Sequence, residues 1–190
     1  GDVPIVINPR GLKEYIRNDT FFASIPLILN EYPDAIFLCI SMEGKAVAEN
    51  YCEQYQIGHA VRLMPSVSHT EMARLFQASD VVVSSSDHDG TPISLLESMA
   101  CGCFPVAGDI PSSYEWVTDG QNGFIHDRTS PADLAEKVIS ALAQPALRAS
   151  AASLNQVILQ ERASRVRSTE RMMDLYRKAI QYFDGKGQRV

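Results

Sequence analysis

VVVSSSDHDGTPISLLESMACGCFPV, running from Val81 to Val106, is the stretch on which the fold turns. Val81 to Val83 is a short, wholly apolar strand, and Ser84 to Asp89 is its polar exit loop. Pro92 to Ala100 reads as a helix, opened by a proline that forfeits no intrahelical hydrogen bond there and closed by Gly102. Phe104 to Ala107 is the next strand. A strand with no polar alternation is buried on both faces, which is the habit of parallel sheets covered by helices on each side.

The same rhythm continues outward. Val3 to Asn8 is a β-branched run broken by Pro9. Thr20 to Glu31 carries Phe21, Phe22, Ile25, Ile28 and Leu29 at helical spacing, with Pro26 in its first turns. Ala35 to Ile40 is a strand, Lys45 to Tyr55 a helix, and Val61 to Met64 a strand. Ser68, with Glu71 three residues on, has the form of a capping box before Met72, Leu75 and Phe76. Asn122-Gly123 turns the chain into Phe124 and Ile125, and Ser130 caps a helix from Pro131 to about Leu142. Ala146 to Tyr182 is mostly helical. These alternations predict an α/β domain, a Rossmann-like three-layer sandwich with a parallel sheet. One domain is expected over 1–182, followed by a frayed tail over 183–190. Ligands of such sheets bind beyond the carboxyl ends of the strands, which directs attention to the loops after Asn8, Ile40, Met64 and Val83.

Composition narrows the function. The 190 residues are 45% hydrophobic, enough for a core that needs neither disulfide nor structural metal. Seventeen basic and 23 acidic residues leave a net charge of -6, which argues against nucleic acid as the main partner but permits a local phosphate-binding patch. Cys39, Cys52, Cys101 and Cys103 match no zinc spacing and read as buried thiols of a reducing compartment. His59, His69, His88 and His126 have no partners at metal-ligand spacing, so no metal is expected. No apolar run of membrane-spanning length and no leader pattern occurs, so a cytoplasmic location is expected. A domain cut from a longer chain would lack both signals even if its parent sat at the inner face of a membrane.

Candidate chemistry gathers where the exit loop meets the helix. The first-turn N–H groups and the helix dipole suit an anion such as a diphosphate, with Gly90 permitting close approach and Thr91, Pro92 and Ile93 forming the turn. Asp89 is free to accept from sugar hydroxyls, and Glu97 lies within reach of a diol such as a ribose. Two acceptor carboxylates flanking backbone donors suit a ligand with hydroxyls at both ends and phosphates between them.

This segment resembles the C-terminal domain of the GT-B retaining glycosyltransferases known as group 1. Asp89 and Glu97 are separated by seven residues, as the acidic pair of that family is, and Ser98-Met99-Ala100-Cys101-Gly102-Cys103-Phe104-Pro105-Val106 resembles the run that follows it. Glu115-Trp116-Val117-Thr118-Asp119-Gly120-Gln121-Asn122-Gly123 also falls in family order, and the likeness extends from about Pro4 to Leu142. The resemblance implies a donor domain for a nucleotide-diphosphate sugar, transferring a hexose-type sugar with retention and no cofactor. By it, Glu97 holds the donor ribose, Asp89 contacts the transferred sugar, and Gly90 to Ile93 meet phosphate and sugar. Asp89 stands where the family usually has Glu, one methylene shorter, which leaves the donor sugar open. The family places an Arg just after the first strand, and Arg10 matches it; the resemblance thus implies Arg10 as the diphosphate cation, with Asp89 and Arg10 as the catalytic pair. Tyr15 stands where other members have Lys, and Lys13 and Arg17 are weaker cationic candidates. Ser66 and Val67 match a loop that contacts the base through backbone groups, which leaves the base unread.

The resemblance further implies a partner N-terminal domain that binds the acceptor, without which the 190 residues bind donor but do not transfer. Arg162, Arg165, Arg167, Arg171, Arg177 and Lys178 make the last helix basic, suited to crossing to that domain or to touching an anionic membrane peripherally. Two other readings stand beside this one: part of a GT-B sugar-nucleotide epimerase, and a non-catalytic Rossmann-like interaction module. A dinucleotide-binding domain is disfavoured, since no Gly-x-Gly-x-x-Gly follows Val3 to Asn8.

Overall fold

The structure is a computed structural model and describes residues 3–187. Six strands, β1 (Ile5–Asn8), β2 (Ile36–Cys39), β3 (Val61–Leu63), β4 (Val81–Ser84), β5 (Phe104–Gly108) and β6 (Phe124–His126), form one parallel sheet. Their spatial order is β3-β2-β1-β4-β5-β6. The chain builds outward from β1 to β3, then returns to place β4 on the other side of β1. The order therefore reverses between β1 and β4, and the crevice beyond their carboxyl ends is where such sheets take ligands. Every residue of β4 and β5 is buried, which accounts for their unbroken apolar character.

Pro105 sits inside β5 and cannot donate to the ladder. The pairing of β5 with β6 begins one residue later, at Val106 with Phe124, so β6 does not depend on the missing N–H.

The helices are α1 (Asn18–Glu31), α2 (Ala46–Gln54), α3 (His69–Ala78), α4 (Ile93–Ala100), α5 (Pro111–Tyr114), α6 (Pro131–Ala143), α7 (Pro145–Arg162) and α8 (Arg165–Gly187). Helix α1 packs along α6 and touches α2, while α3 packs on α4, so the sheet is covered on both faces. The core joins Phe21, Phe22, Ile25 and Ile28 of α1 to Phe37, Val81, Val83 and Phe104 of the strands and to Leu134 and Val138 of α6. The chain divides into two compact units, Gly1–Asn155 and Gln156–Val190. The sheet and its helices belong to the first; the end of α7 and all of α8 make up the second.

Several boundaries differ from those read in the sequence. Helix α1 starts at Asn18 rather than Thr20, so Pro26 falls near its middle and not in its first turns. The helix tolerates this because Phe22 and Ile25 before the proline and Ile28 after it are all buried in the core. Val3 stays outside β1, and Pro92 is the N-cap of α4 rather than a helical residue. The four-residue α5 carried no periodic signal. Helix α8 extends to Gly187, and residues 188–190 of the tail expected to fray lie outside those described.

The capping box is present in full. Ser68 Oγ accepts from the Glu71 N–H, while Glu71 Oε2 accepts from the Ser68 N–H at 3.0 Å. The Ser68 hydroxyl also donates to Glu71 Oε2 at 2.8 Å, and this bond, with the one from the Ser68 N–H, holds the Glu71 carboxyl below its ordinary pKa. Ser68→Ala should cost about 1 kcal/mol, read as a lower midpoint in urea denaturation with an unchanged slope.

Candidate donor site

Asn8, buried at the end of β1, turns the chain by accepting the Arg10 N–H on its Oδ1 at 3.1 Å. Its Nδ2 donates to Asn18 Oδ1 at 3.4 Å, and Asn18 Nδ2 donates to the Gly11 carbonyl at 3.1 Å. Gly11 adopts φ +66, and a Cβ there would lie 3.4 Å from Ser41 Cβ. Two buried amides and one left-handed glycine thus aim Arg10 along the crevice. Neither asparagine stood out in the sequence.

The loop after β4 is anchored against this one. Arg17 N–H donates to the Ser85 carbonyl at 2.7 Å, Ile16 forms a bridge with Ser86, and Asp87 N–H donates to the Tyr15 carbonyl at 2.8 Å. Beneath it, His126 Nδ1 lies 3.0 Å from the Asp127 carbonyl and Nε2 lies 3.1 Å from Ser85 Oγ. A carbonyl only accepts, so Nδ1 carries the proton and Nε2 accepts from the serine. Burial lowers the imidazole pKa, which keeps this ring neutral and the arrangement intact.

Across the crevice Arg10 Nη2 lies 2.8 Å from Asp89 Oδ2, and Nη1 reaches Ser94 Oγ at 3.4 Å. Pro9, Arg10, Lys13, Asp89, Thr91, Ile93 and Ser94 line a cleft of about 320 Å³. Tyr15 stands at its rim with its ring 5.1 Å from that of His88, and the Arg10 and Lys13 cations lie 5.9 and 5.7 Å from its centroid. Hydrogen bonding to Lys13, with help from Arg10, lowers the Tyr15 phenol below its ordinary pKa. The first turn of α4 is less open than its sequence suggested. The Ile93 N–H donates to the Thr91 carbonyl, and the Leu95 and Leu96 N–H groups donate to Pro92. Gly90 meets nothing within 4 Å where a Cβ would stand and has no left-handed φ, so its own protein imposes no need for glycine there.

Glu97 lies one and a half turns along α4, and its Oε1 is 2.9 Å from Nε2 of His69, the first residue of α3. His69 had read as one of four unpartnered histidines; no local pattern announces a contact between residues 28 apart. Arg17 faces elsewhere. It forks onto Asp19 at 2.9 and 2.7 Å, lies 3.8 Å from Asp87, and lines a separate groove with Lys13, Asp19 and Tyr51. Ser66 and Val67 do not line the Arg10–Asp89 cleft. They belong to a neighbouring knot of loops, where Ser66 Oγ lies 3.0 Å from Ser41 Oγ and the Met42 and Glu43 N–H groups donate to the Met64 carbonyl. Ser41 adopts φ +61, a conformation more often left to glycine. Among the described residues no cluster of His, Cys, Asp or Glu could hold a metal, and all four cysteines are free thiols. No helix there is long and apolar enough to cross a membrane.

A six-stranded parallel sheet with a polar cleft at its switch point defines a Rossmann-like domain of the kind found in the C-terminal half of GT-B glycosyltransferases. The family model described as glycosyl transferases group 1 matches residues 2–156, and the chain belongs to that family. It is 29% identical over 140 residues to a D-inositol 3-phosphate glycosyltransferase of Saccharomonospora viridis, a match covering 70% of this chain and 31% of that protein. The chain thus spans about a third of that relative's length. HepE of Anabaena, crystallised with UDP and glucose, shares the fold at a TM-score of 0.83 and 18% identity, over 93% of this chain and 48% of that one. The C-terminal domain of LpcC, a group 1 family protein of Francisella tularensis, does so at 0.73 and 20%, over 86% and 89% respectively.

Proposed function

We propose that this chain is the donor-binding domain of a retaining glycosyltransferase that moves a hexose-type sugar from a nucleotide diphosphate to an acceptor hydroxyl. The observation that carries this reading is the convergence of Arg10, Ser94 and Asp89 on one cleft at the β1/β4 switch point, with Glu97 further along α4. Arg10 takes the diphosphate and offsets charge on the departing nucleotide, the contribution that lowers the barrier to transfer. Asp89 meets the sugar, and Glu97, steadied by His69, accepts from the ribose diol. Ser66 and Val67 lie toward the base. Arginine and helix dipole supply the electrostatics, so no metal or other cofactor enters. HepE, which shares the fold, has also been crystallised with UDP-glucose, a donor of this class.

The acceptor belongs to a second, N-terminal domain of the parent protein, and the present chain alone binds donor without transfer. Helix α8 suits such a partner. Met172, Tyr176 and Ile180 project from one face and are half or more exposed, while Arg167, Arg171 and Lys178 share the other. Free thiols fit a cytoplasmic setting.

Calorimetric titration with UDP, GDP, ADP and their hexose conjugates tests the reading. Saturable binding of one nucleotide is expected, weakened about tenfold (~1.4 kcal/mol) by Glu97→Ala through loss of the diol contact. Binding indifferent to Glu97→Ala would remove the ribose from this position, and silence across the panel would favour an interaction module.

A further inference from the structure

We infer that Asp89 is the resident counter-ion of Arg10, displaced when a diphosphate arrives, and that this exchange lets the site distinguish a nucleotide sugar from its spent nucleotide. The inference rests on the donor-site reading and concerns what the two residues do to each other. Their side chains are 15% and 12% exposed and 2.8 Å apart. Asp89 Oδ2 is buried and makes no hydrogen bond of good geometry, so charge rather than directional bonding holds it to Arg10. The other cation lining the cleft, Lys13, lies over the Tyr15 ring, and Arg10 Nη1 makes a long contact with Ser94. The Arg10 charge is therefore already answered before any ligand binds.

A diphosphate that takes Arg10 must share the guanidinium with a carboxylate of like charge or push it away. A carboxylate stranded in a partly desolvated cleft is unfavourable unless a donor meets it. A sugar hydroxyl beyond the β-phosphate is such a donor, whereas a nucleoside diphosphate, whose hydroxyls sit on the ribose at Glu97, offers none there. The conjugate thus compensates the displaced Asp89 and the spent nucleotide does not, which speeds product release.

The test is Asp89→Asn, which keeps the shape and removes the charge, titrated with inorganic pyrophosphate, the three nucleoside diphosphates and their hexose conjugates. The sugar-free diphosphate that the unaltered chain binds, and pyrophosphate, should bind about tenfold more tightly to the variant. The preference for conjugate over diphosphate should fall by about the same factor. Asp89→Ala should shift the sugar-free ligands in the same direction. Unchanged or weaker diphosphate binding in both variants overturns the inference while leaving the donor-site reading intact. An unaltered chain that binds none of the panel overturns both.

Discussion

Arg10→Ala should lower nucleoside-diphosphate affinity about a hundredfold (~2.7 kcal/mol), the loss of one or two charge-assisted hydrogen bonds to phosphate. The size of the effect follows from how the side chain is held. Asn8 fixes the backbone N–H of Arg10 and Asn18 fixes the Gly11 carbonyl, so the loop that carries the guanidinium is already ordered before binding. Arg10→Lys should recover only part of the loss, because a point charge replaces a planar fork. Titration calorimetry reads both variants, with circular dichroism to show that the fold persists. A loss under threefold for the alanine variant would move the diphosphate away from β1.

The second large effect is on stability. Gly123→Ala should cost about 3 kcal/mol and lower Tm by roughly 9 °C in a thermal melt. A Cβ at this position would stand 2.6 Å from Pro105 Cγ, 2.8 Å from the Pro105 carbonyl oxygen and 2.8 Å from Val117 Cγ1. One of these atoms is backbone and another belongs to a rigid ring, so the neighbours cannot swing aside. The turn cannot retreat either. Asn122 is buried, accepts the Thr118 N–H, and donates to the Trp116 carbonyl and to Asn155 Oδ1. Gly90→Ala is the contrast: with open space around it, the change should leave Tm within about 2 °C. Equal melts for the two variants would contradict this packing account.

What could be read in advance was what short stretches determine. The apolar runs of Val81 to Val83 and Phe104 to Ala107 read as strands buried on both faces, and Ser68 with Glu71 three residues on has the form of a cap; both are set by a few neighbouring residues. Arg10, Asp89 and the start of α4 were named from a long motif and a position after a strand. The structure brings these groups to one cleft because the β1/β4 switch point lies between them. What escaped was pairing between distant positions. His69 meets Glu97 only because α3 packs on α4, and Asn8 meets Asn18 only because the first loop folds back. Arg17 shares a loop with Arg10 and reads as a weaker cation for the same diphosphate, yet Asp19 and Asp87 claim its charge. Pro26 suggested a helix start because local propensity cannot weigh the burial that holds α1 together.

The most direct test of the central claim is a crystal structure of the chain soaked with the nucleoside diphosphate that binds best in titration. The account predicts the β-phosphate within 3.5 Å of the Arg10 guanidinium, an ordinary hydrogen-bonding reach. It also predicts the ribose diol on Glu97 and the Asp89 carboxylate swung off Arg10. A nucleotide lodged in the Arg17 groove, or one in the cleft with Glu97 untouched and the Arg10–Asp89 pair intact, would contradict it.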